Sequence, residues 1–175
     1  MTALNPISIQ DTVGLNAELE RIYEETRLPV CTYLLYLGVP SNQAQEVTQE
    51  VFLRLYQTMR KGTQIDNLRA WLFRVAHNLG LKVRHRERSF RVVSPDWNQF
   101  SDPVESTDDM LISRQRNARV AAAMETLSPQ QRHCLYLRSE GLRYREIAEV
   151  IGISSSSVNE FLRRAIAHLA EAANE

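Results

Sequence analysis

Residues Leu127 to Leu169 read LSPQQRHCLYLRSEGLRYREIAEVIGISSSSVNEFLRRAIAHL, and their caps, turns and apolar spacing predict three consecutive helices. The segment Ser128–Gln131 is typical of a helix start, because a hydroxyl caps the first turn and a proline loses no hydrogen bond at the first helical position. Gly141 stands where a helix would end in a left-handed residue. Gly152 lies in the tight turn before the last helix.

The last two of these helices are short and amphipathic. Their apolar residues recur every three or four positions, at Tyr144, Ile147, Ala148 and Ile151 in one and at Val158, Phe161, Leu162, Ala165, Ile166 and Leu169 in the other. Two such helices joined by a few residues form the unit that places its second helix in the major groove of DNA. The C-terminal third therefore predicts a helix-turn-helix and a DNA partner.

The preceding sequence also has helical periodicity. A helix is expected over residues 17–27, and Pro29 is expected to open a separate piece over residues 30–37. Ser41 or Asn42 would cap a long helix that ends near Arg60, with apolar positions Ala44, Val47, Val51, Leu55 and Met59. After a loop, Asp66 would cap a further helix with the apolar stripe Leu68, Leu72, Val75, Ala76 and Leu79.

A segment of different amino-acid composition separates these helices from the C-terminal ones. Residues 94–109 contain two prolines and five acids without sustained apolar periodicity, which is long for a loop within one domain. The sequence thus predicts an all-α chain of two small helical domains joined by an acidic flexible linker. Its parts are a mobile N-terminus (1–16), a helical domain (17–90), the linker (91–109) and a helix-turn-helix domain (110–175).

Charge is distributed in opposed blocks. The chain has 21 basic and 21 acidic residues, and this zero net charge argues against a protein that coats nucleic acid non-specifically. Residues 67–91, however, carry seven Lys or Arg against one Glu, whereas residues 96–110 carry five acids and no base. Blocks of this kind are typical of surfaces that face different partners.

Several functional classes are disfavoured. No apolar run approaches the roughly 18 residues of a membrane span, and no signal peptide is recognisable, so a cytoplasmic protein without membrane insertion is expected. Cys31 and Cys134 are expected to be buried thiols. No Cys/His cluster has metal-ligand spacing, so neither a metal nor a cofactor is expected. No enzyme or small-molecule substrate is expected either, because Asp108 and Asp109 are a poor catalytic pair and no histidine has an acid or Cys at a suggestive spacing.

The last helix carries candidate DNA contacts. With Ser154 as the N-cap, the side chains that point away from the apolar stripe are Ser155, Ser156, Asn159, Glu160 and Arg163. Backbone N–H groups and hydroxyls at a helix start suit phosphate oxygens, and Asn and Arg can hydrogen-bond to base edges. The alternative is that residues 154–157 form only a polar turn of a helical hairpin.

The helix after Asn67 carries a second candidate surface. Its face away from the stripe has Arg69, Phe73, Arg74, His77 and Asn78, continuing into Lys82, Arg84 and Arg86. Aromatic rings among cations suit single-stranded nucleic acid, whose bases stack on the rings. Phe73 is therefore expected to be exposed, and Trp71 at the stripe's edge is either a core residue or a stacking platform. A merely solvated basic face is the alternative.

The order of these elements resembles the bacterial RNA polymerase sigma factors, most closely the extracytoplasmic-function (ECF) type. Three segments carry the resemblance: NQAQEVTQEVFLRLY at 42–56, LRAWLFRVAHNL at 68–79, and LSPQQR at 127–132 leading into GLRYREIAEVIGIS at 141–154. They are similar to the family's polymerase-docking helix, its promoter-melting helix and its −35-reading domain. A stand-alone helix-turn-helix transcriptional regulator is the alternative.

The resemblance implies a role for each segment. Docking on the coiled coil of the largest catalytic subunit of core polymerase would involve Gln45, Glu46, Gln49, Glu50 and Arg54. The flap region of the polymerase is expected to be a further part of the partner. The −10 element would be captured and melted by Lys61, Asn67, Arg69, Trp71, Phe73, Arg74, His77, Asn78, Lys82, Arg84 and Arg86. The −35 element would be read by Ser155, Ser156, Ser157, Asn159, Glu160, Arg163 and Arg164. The linker would thread into the polymerase, and an anti-sigma factor is the expected further partner.

The chain departs from the family's pattern in its C-terminal domain. Arg143 stands where the family usually has a Ser-like helix cap, and residues 157–161 read Ser-Val-Asn-Glu-Phe where it usually has Thr-Val-Lys-Ser-Arg. Glu160 can accept a hydrogen bond from a cytosine amino group, or it can complete a capping box with Ser157. Both roles for Glu160 remain open at the level of sequence.

Overall fold

The computed structural model describes residues 9–86 and 107–174, with side chains described from 14 to 86 and from 116 to 174. The described residues form α-helices without any strand, which confirms the all-α class. None of these helices is long and apolar enough to cross a membrane. Their bounds are α1 Ile9–Tyr36, α2 Ser41–Arg60, α3 Leu68–Arg86, α4 Thr107–Thr126, α5 Pro129–Ser139, α6 Tyr144–Ile151 and α7 Ser155–Asn174.

Helix α1 is longer and more continuous than expected. It begins at Ile9 instead of residue 17, and Pro29 lies inside it, so the predicted break at this proline is wrong. Proline removes one backbone hydrogen bond from a helix. The loss is offset by packing, since Ile22 before the proline and Val30 and Leu34 after it are buried in the same core. The predicted mobility of residues 1–16 stays a prediction.

Two helix starts differ from the predicted ones. Pro40 is the N-cap of α2 and no side chain caps this helix, so neither Ser41 nor Asn42 acts as the cap. At the start of α3 the cap is Asn67 and not Asp66, because the Asn67 side-chain oxygen accepts from the Ala70 backbone N–H at 3.0 Å. In α3 the helix is thus capped by Asn67, the short polar side chain that is nearest to the first turn.

The helix-turn-helix has the predicted construction. Ser128 and Gln131 form a reciprocal capping box at the start of α5, with Pro129 in the first turn. Gly141 has a φ of 86°, the left-handed conformation expected of it, and Gly152, in the predicted tight turn, is left-handed as well with a φ of 79°. At the start of α6 the Arg143 N–H donates to the Glu146 carboxylate at 2.7 Å. Because a guanidinium has no acceptor, this is half of a capping box.

The apolar stripes mostly form the core, as predicted. Buried stripe residues are Ala44, Val47, Val51 and Leu55 of α2, Leu72 and Ala76 of α3, and Val158, Leu162 and Ala165 of α7. Tyr144 and Ile166 are exceptions, with 40% and 54% of their surface exposed. Ile166 lies about 80° around α7 from Val158, at the margin of the stripe.

Cys134 is buried, Cys31 is half-buried, and both are free thiols.

The helices form two units that touch. Helices α1 to α3 form the N-terminal unit (residues 9–86), and α4 to α7 form the C-terminal unit (residues 107–174). The predicted linker lies outside the described residues up to residue 106, and α4 begins at Thr107. Helix α3 packs against α6, and α1 packs against α5, so the buried apolar cluster is continuous across both units. This contact decides which candidate site residues are accessible.

Candidate nucleic-acid interface

One face of α3 presents an exposed basic line with an aromatic ring. Arg74, Asn78 and Lys82 follow each other at helical spacing and are exposed, and the half-buried ring of Trp71 begins the line. Lys61, Arg84 and Arg86 are exposed as well. The line combines cations for phosphates with a ring on which a base can stack.

Phe73 and His77 do not lie on this exposed face, and the prediction that they do is wrong. Phe73 is 1% exposed and its ring meets Tyr33 edge to face, with centroids 5.4 Å apart. His77 is 5% exposed, and its Nδ1 lies 2.8 Å from the Tyr33 hydroxyl oxygen. The reason is that α3 has a second buried side, which is covered by α1 and by Tyr136 of α5.

The first turn of α3 is held by the C-terminal unit. Arg69 Nη1 donates to the Glu140 carboxylate at 2.7 Å and to the Glu140 backbone carbonyl at 3.0 Å. Asn67 Nδ2 donates to Glu146 Oε1 at 2.7 Å. Both residues belong to the predicted −10 set, and sequence spacing had no signal for these contacts because their partners lie more than 70 residues away.

The buried cluster around Tyr33 contains two histidines. Burial lowers the pKa of His133 to about 4, with smaller contributions from His77, Arg84 and Arg132. The pKa of His77 is also lowered, mainly by burial and further by Arg84. Both imidazoles are therefore neutral at pH 7. The burial of Cys134 raises the pKa of its thiol to about 11, which makes it unreactive.

The start of α7 has the predicted cap and exposed polar residues. Ser154 Oγ accepts from the Ser157 N–H at 3.1 Å and lies 2.8 Å from the hydroxyls of Ser156 and Ser157. The side chains that face solvent along this helix are Ser155, Ser156, Asn159, Arg163 and Arg164, whereas Ser157 is half-buried.

Glu160 pairs with the two arginines of this face. Its carboxylate accepts from Arg163 at 3.0 and 3.1 Å and from Arg164 at 2.6 Å. These hydrogen bonds hold the pKa of Glu160 below its ordinary value. Ser157, which is already paired with Ser154, is not its partner. The capping-box alternative for Glu160 is therefore wrong.

Helix α2 presents the predicted docking residues together with a leucine that the prediction omitted. Gln45, Glu46, Gln49 and Arg54 are exposed, and Arg54 Nε donates to the half-buried Glu50 at 2.7 Å. Leu53, 50% exposed, lies on the same side of the helix. Its position outside the apolar stripe is the signal that could have identified it.

A cleft of about 570 Å³ lies between the two units. The loop before α3, with Trp71 and Arg74, forms one wall, and Arg143, Arg145, Glu146 and Glu149 of α6 form the other. We call it the interdomain cleft. Among the residues that the structure describes, no group of three or more His, Cys, Asp or Glu side chains is placed to hold a metal ion.

An exposed basic helix with an aromatic ring, followed by a helix-turn-helix, is the arrangement of a protein that contacts DNA with two modules. The family model for Sigma-70 region 2 matches residues 22–90, and that for Sigma-70, region 4 matches residues 117–169. SigL of Mycobacterium tuberculosis, an ECF RNA polymerase sigma factor, is 31% identical over 154 residues, covering 86% of this chain and 85% of SigL. The chain belongs to the ECF RNA polymerase sigma factors.

Other relatives agree with this assignment. BldN of Streptomyces coelicolor, also an ECF sigma factor, is 29% identical over 86% of this chain, and the chain spans 58% of BldN. Two solved structures share the fold. RpoE in complex with the anti-sigma factor NepR from Bartonella quintana has a TM-score of 0.62 at 18% identity, covering 89% of this chain and 96% of RpoE. CnrH in complex with the cytosolic domain of CnrY has a TM-score of 0.55 at 21% identity, covering 89% and 87%.

Proposed function

We propose that the chain binds core RNA polymerase and directs it to promoters whose −10 strand and −35 duplex it reads with separate units. The observation that carries this proposal is the presence of both sigma-70 regions in one chain, with an ECF sigma factor as a relative over most of its length. A stand-alone regulator would need no docking helix, so the exposed polar face of α2 favours the sigma factor.

Docking on polymerase is assigned to α2. Its face combines exposed glutamine and glutamate side chains with one apolar anchor, Leu53. An apolar side chain surrounded by polar ones is the usual composition of an interface centre and its rim. Leu53 is therefore the residue of this face whose truncation should cost most in polymerase affinity.

Capture of the −10 strand is assigned to the exposed line on α3. Trp71 would stack on an unpaired base, while Arg74 and Lys82 would bind the neighbouring phosphates and Asn78 a base edge. Phe73 and His77 are buried in this structure, where they support the surface by packing beneath it. Their direct contact with DNA stays a prediction.

Reading of the −35 duplex is assigned to α7. Apart from the Ser157 N–H, which Ser154 Oγ caps, the N–H groups of its first turn and the hydroxyls of Ser155 and Ser156 suit backbone phosphates. Asn159 suits a base edge. Glu160 partly neutralises Arg163 and Arg164, so this face is weakly basic. The isolated C-terminal unit should consequently bind duplex poorly unless polymerase places it on the promoter.

Further partners follow from the relatives. RpoE and CnrH were solved with NepR and CnrY bound, and we propose an anti-sigma factor for this chain as well. The acidic linker, outside the described residues, would enter the positively charged nucleic-acid channel of polymerase as a mimic of nucleic acid. Because the proposed partner is RNA polymerase, we propose that the protein acts in the cytoplasm. The absence of catalytic activity stays a prediction.

The docking proposal is tested with two leucine variants. Leu53→Ala should weaken binding to purified core polymerase about tenfold or more, because truncating a central apolar anchor typically costs about 2 kcal/mol. Leu28→Ala is the matched control, since Leu28 is 65% exposed and belongs to a different helix, α1. Binding of fluorescently labelled protein to core polymerase measures both. Equal effects of the two changes would contradict the assignment of docking to α2.

A further inference from the structure

The interdomain cleft carries charged side chains that the proposed function does not use. We propose that this cleft binds a free ribonucleoside phosphate, with the phosphates held between Arg74 and Arg143 and the base stacked on Trp71. The inference goes beyond promoter reading, because it assigns to the cleft a small-molecule ligand that contacts both units. Trp71 and Arg74 also belong to the surface assigned to the −10 strand, so ligand and strand would exclude each other there.

The cleft has the size and the mixed lining of a small-molecule site. Its volume of about 570 Å³ lies within the roughly 300–1,000 Å³ that such sites occupy. Ile65, Trp71 and Val150 contribute apolar surface, and polar side chains of the loop before α3 and of α6 make up most of the rest. The ring of Trp71 is half-buried, and any nucleobase can stack on an aromatic ring. The lining therefore offers a place for a base beside places for polar groups.

Two guanidinium groups line the cleft from its two walls. Arg74 lies on α3, Arg143 directly precedes α6, and both side chains are exposed. The ion pairs formed among the described residues include neither of them. Helices α3 and α6 also begin at the cleft, and the start of a helix is its positive end. Unneutralised cations on both sides of one cleft favour an anion between them, and phosphate matches the paired donors of a guanidinium.

The side chain of Arg143 does not cap the helix that it precedes. A short polar residue is the usual cap at such a position, but a guanidinium has no acceptor, and α6 has no side-chain hydrogen bond from its N-cap. The Arg143 backbone N–H is satisfied instead by the Glu146 carboxylate at 2.7 Å. The backbone of Arg143 thus serves the helix start, and its guanidinium remains available to a ligand in the cleft.

The acidic side chains of the cleft favour a ribonucleotide over a DNA strand. Glu146 already accepts two hydrogen bonds, and Glu149 pairs with Arg145 at 3.5 Å. Asp66 is exposed in the cleft and has no ion pair among the described residues. A carboxylate in a nucleotide site accepts hydrogen bonds from ribose hydroxyls. DNA lacks the 2′-OH, so it would leave Asp66 beside phosphates without a donor.

Titration calorimetry of the full-length protein with ATP tests the site, because ATP carries a base, a ribose and phosphates together. One ATP should bind per chain with a dissociation constant below about 1 mM. Inorganic tripolyphosphate should bind about tenfold more weakly because it cannot stack, and dATP about fivefold more weakly because it lacks the 2′-OH. Absence of ATP binding in this range, or equal affinity for all three compounds, would overturn the proposal.

Two arginine variants locate the ligand within the cleft. Arg143→Gln should weaken ATP binding about tenfold, because it removes a charge-assisted contact to phosphate. Arg145→Gln is the matched control, since it removes the same charge two residues away from a side chain that pairs with Glu149. Equal weakening by both variants would show a general charge effect and contradict the proposed site.

Binding of the same variant to core polymerase separates this site from the proposed function. Arg143 lies outside the residues assigned to docking and to DNA, so Arg143→Gln should bind polymerase within about twofold of the original protein. A parallel loss of ATP and polymerase binding would mean general damage to the variant and would overturn the assignment of Arg143 to the ligand. Failure of the proposed function would appear instead as absence of polymerase binding by the original protein, with its ATP binding unchanged.

Discussion

At the scale of single residues, His133 makes the fold sensitive to acid. Its pKa of about 4 lies below the ordinary 6.5, so below pH 6.5 the unfolded chain binds a proton that the folded chain does not. Stability should be complete above pH 6.5, fall by up to roughly 3 kcal/mol as the pH decreases to about 4, and then no longer depend on this residue.

Urea unfolding at several pH values measures this dependence. His133→Gln should be less stable than the original protein at pH 7, because the imidazole is buried and hydrogen-bonded to the backbone of Tyr36. The variant should, however, lose less stability between pH 6.5 and 4. An identical pH dependence in both proteins would mean that His133 is not the responsible group.

Glu160 is the second informative residue. Glu160→Gln should release Arg163 and Arg164 for phosphate contact, so that duplex DNA binds more tightly and the slope of log K against log salt steepens by about one or two units. It should also alter the −35 sequence preference in run-off transcription. Glu171→Gln, the same charge change farther along α7, is the control. An unchanged salt slope in Glu160→Gln would show that the pairing does not restrain the arginines.

At the scale of elements, Gly80 sets the distance between α1 and α3. A Cβ atom at this position would lie 2.5 Å from Leu37 Cδ2 and 3.0 Å from Leu34 Cδ2. Gly80→Ala should therefore lower the free energy of unfolding by about 1–3 kcal/mol through overpacking. Gly14→Ala in the open part of α1 should instead raise it by about 0.5–1 kcal/mol. Chemical denaturation measures both, and stabilisation by both would contradict the close approach.

The elements themselves were largely predictable because their signals are local. The helix start at Ser128, the left-handed Gly141 and the turn at Gly152 depend on residues within a few positions, and all three were found as predicted. The predicted break at Pro29 failed because the packing of both halves of α1 into one core outweighs one lost hydrogen bond. Helix propensity is a property of the local sequence, so it does not include the stabilisation that comes from packing against other helices.

At the scale of the whole molecule, the contact between the units was not predictable from periodicity. Phe73 and His77 lie off the main stripe of α3, and only the approach of α1 and Tyr136 makes their side a second buried surface. Likewise, nothing near Arg69 in the sequence indicates that Glu140 is its partner. The exposure of Gln45, Glu46, Gln49 and Arg54 on α2 was predictable, whereas the omitted Leu53 becomes evident only from its exposure in the structure.

The central claim is that this chain gives RNA polymerase its choice of promoter. The most direct measurement is the mapping of 5′ transcript ends made from genomic DNA by purified core polymerase, with and without the protein. The account predicts start sites that depend on the protein and share one pair of −35 and −10 sequences at constant spacing. An identical set of start sites in both reactions would contradict it.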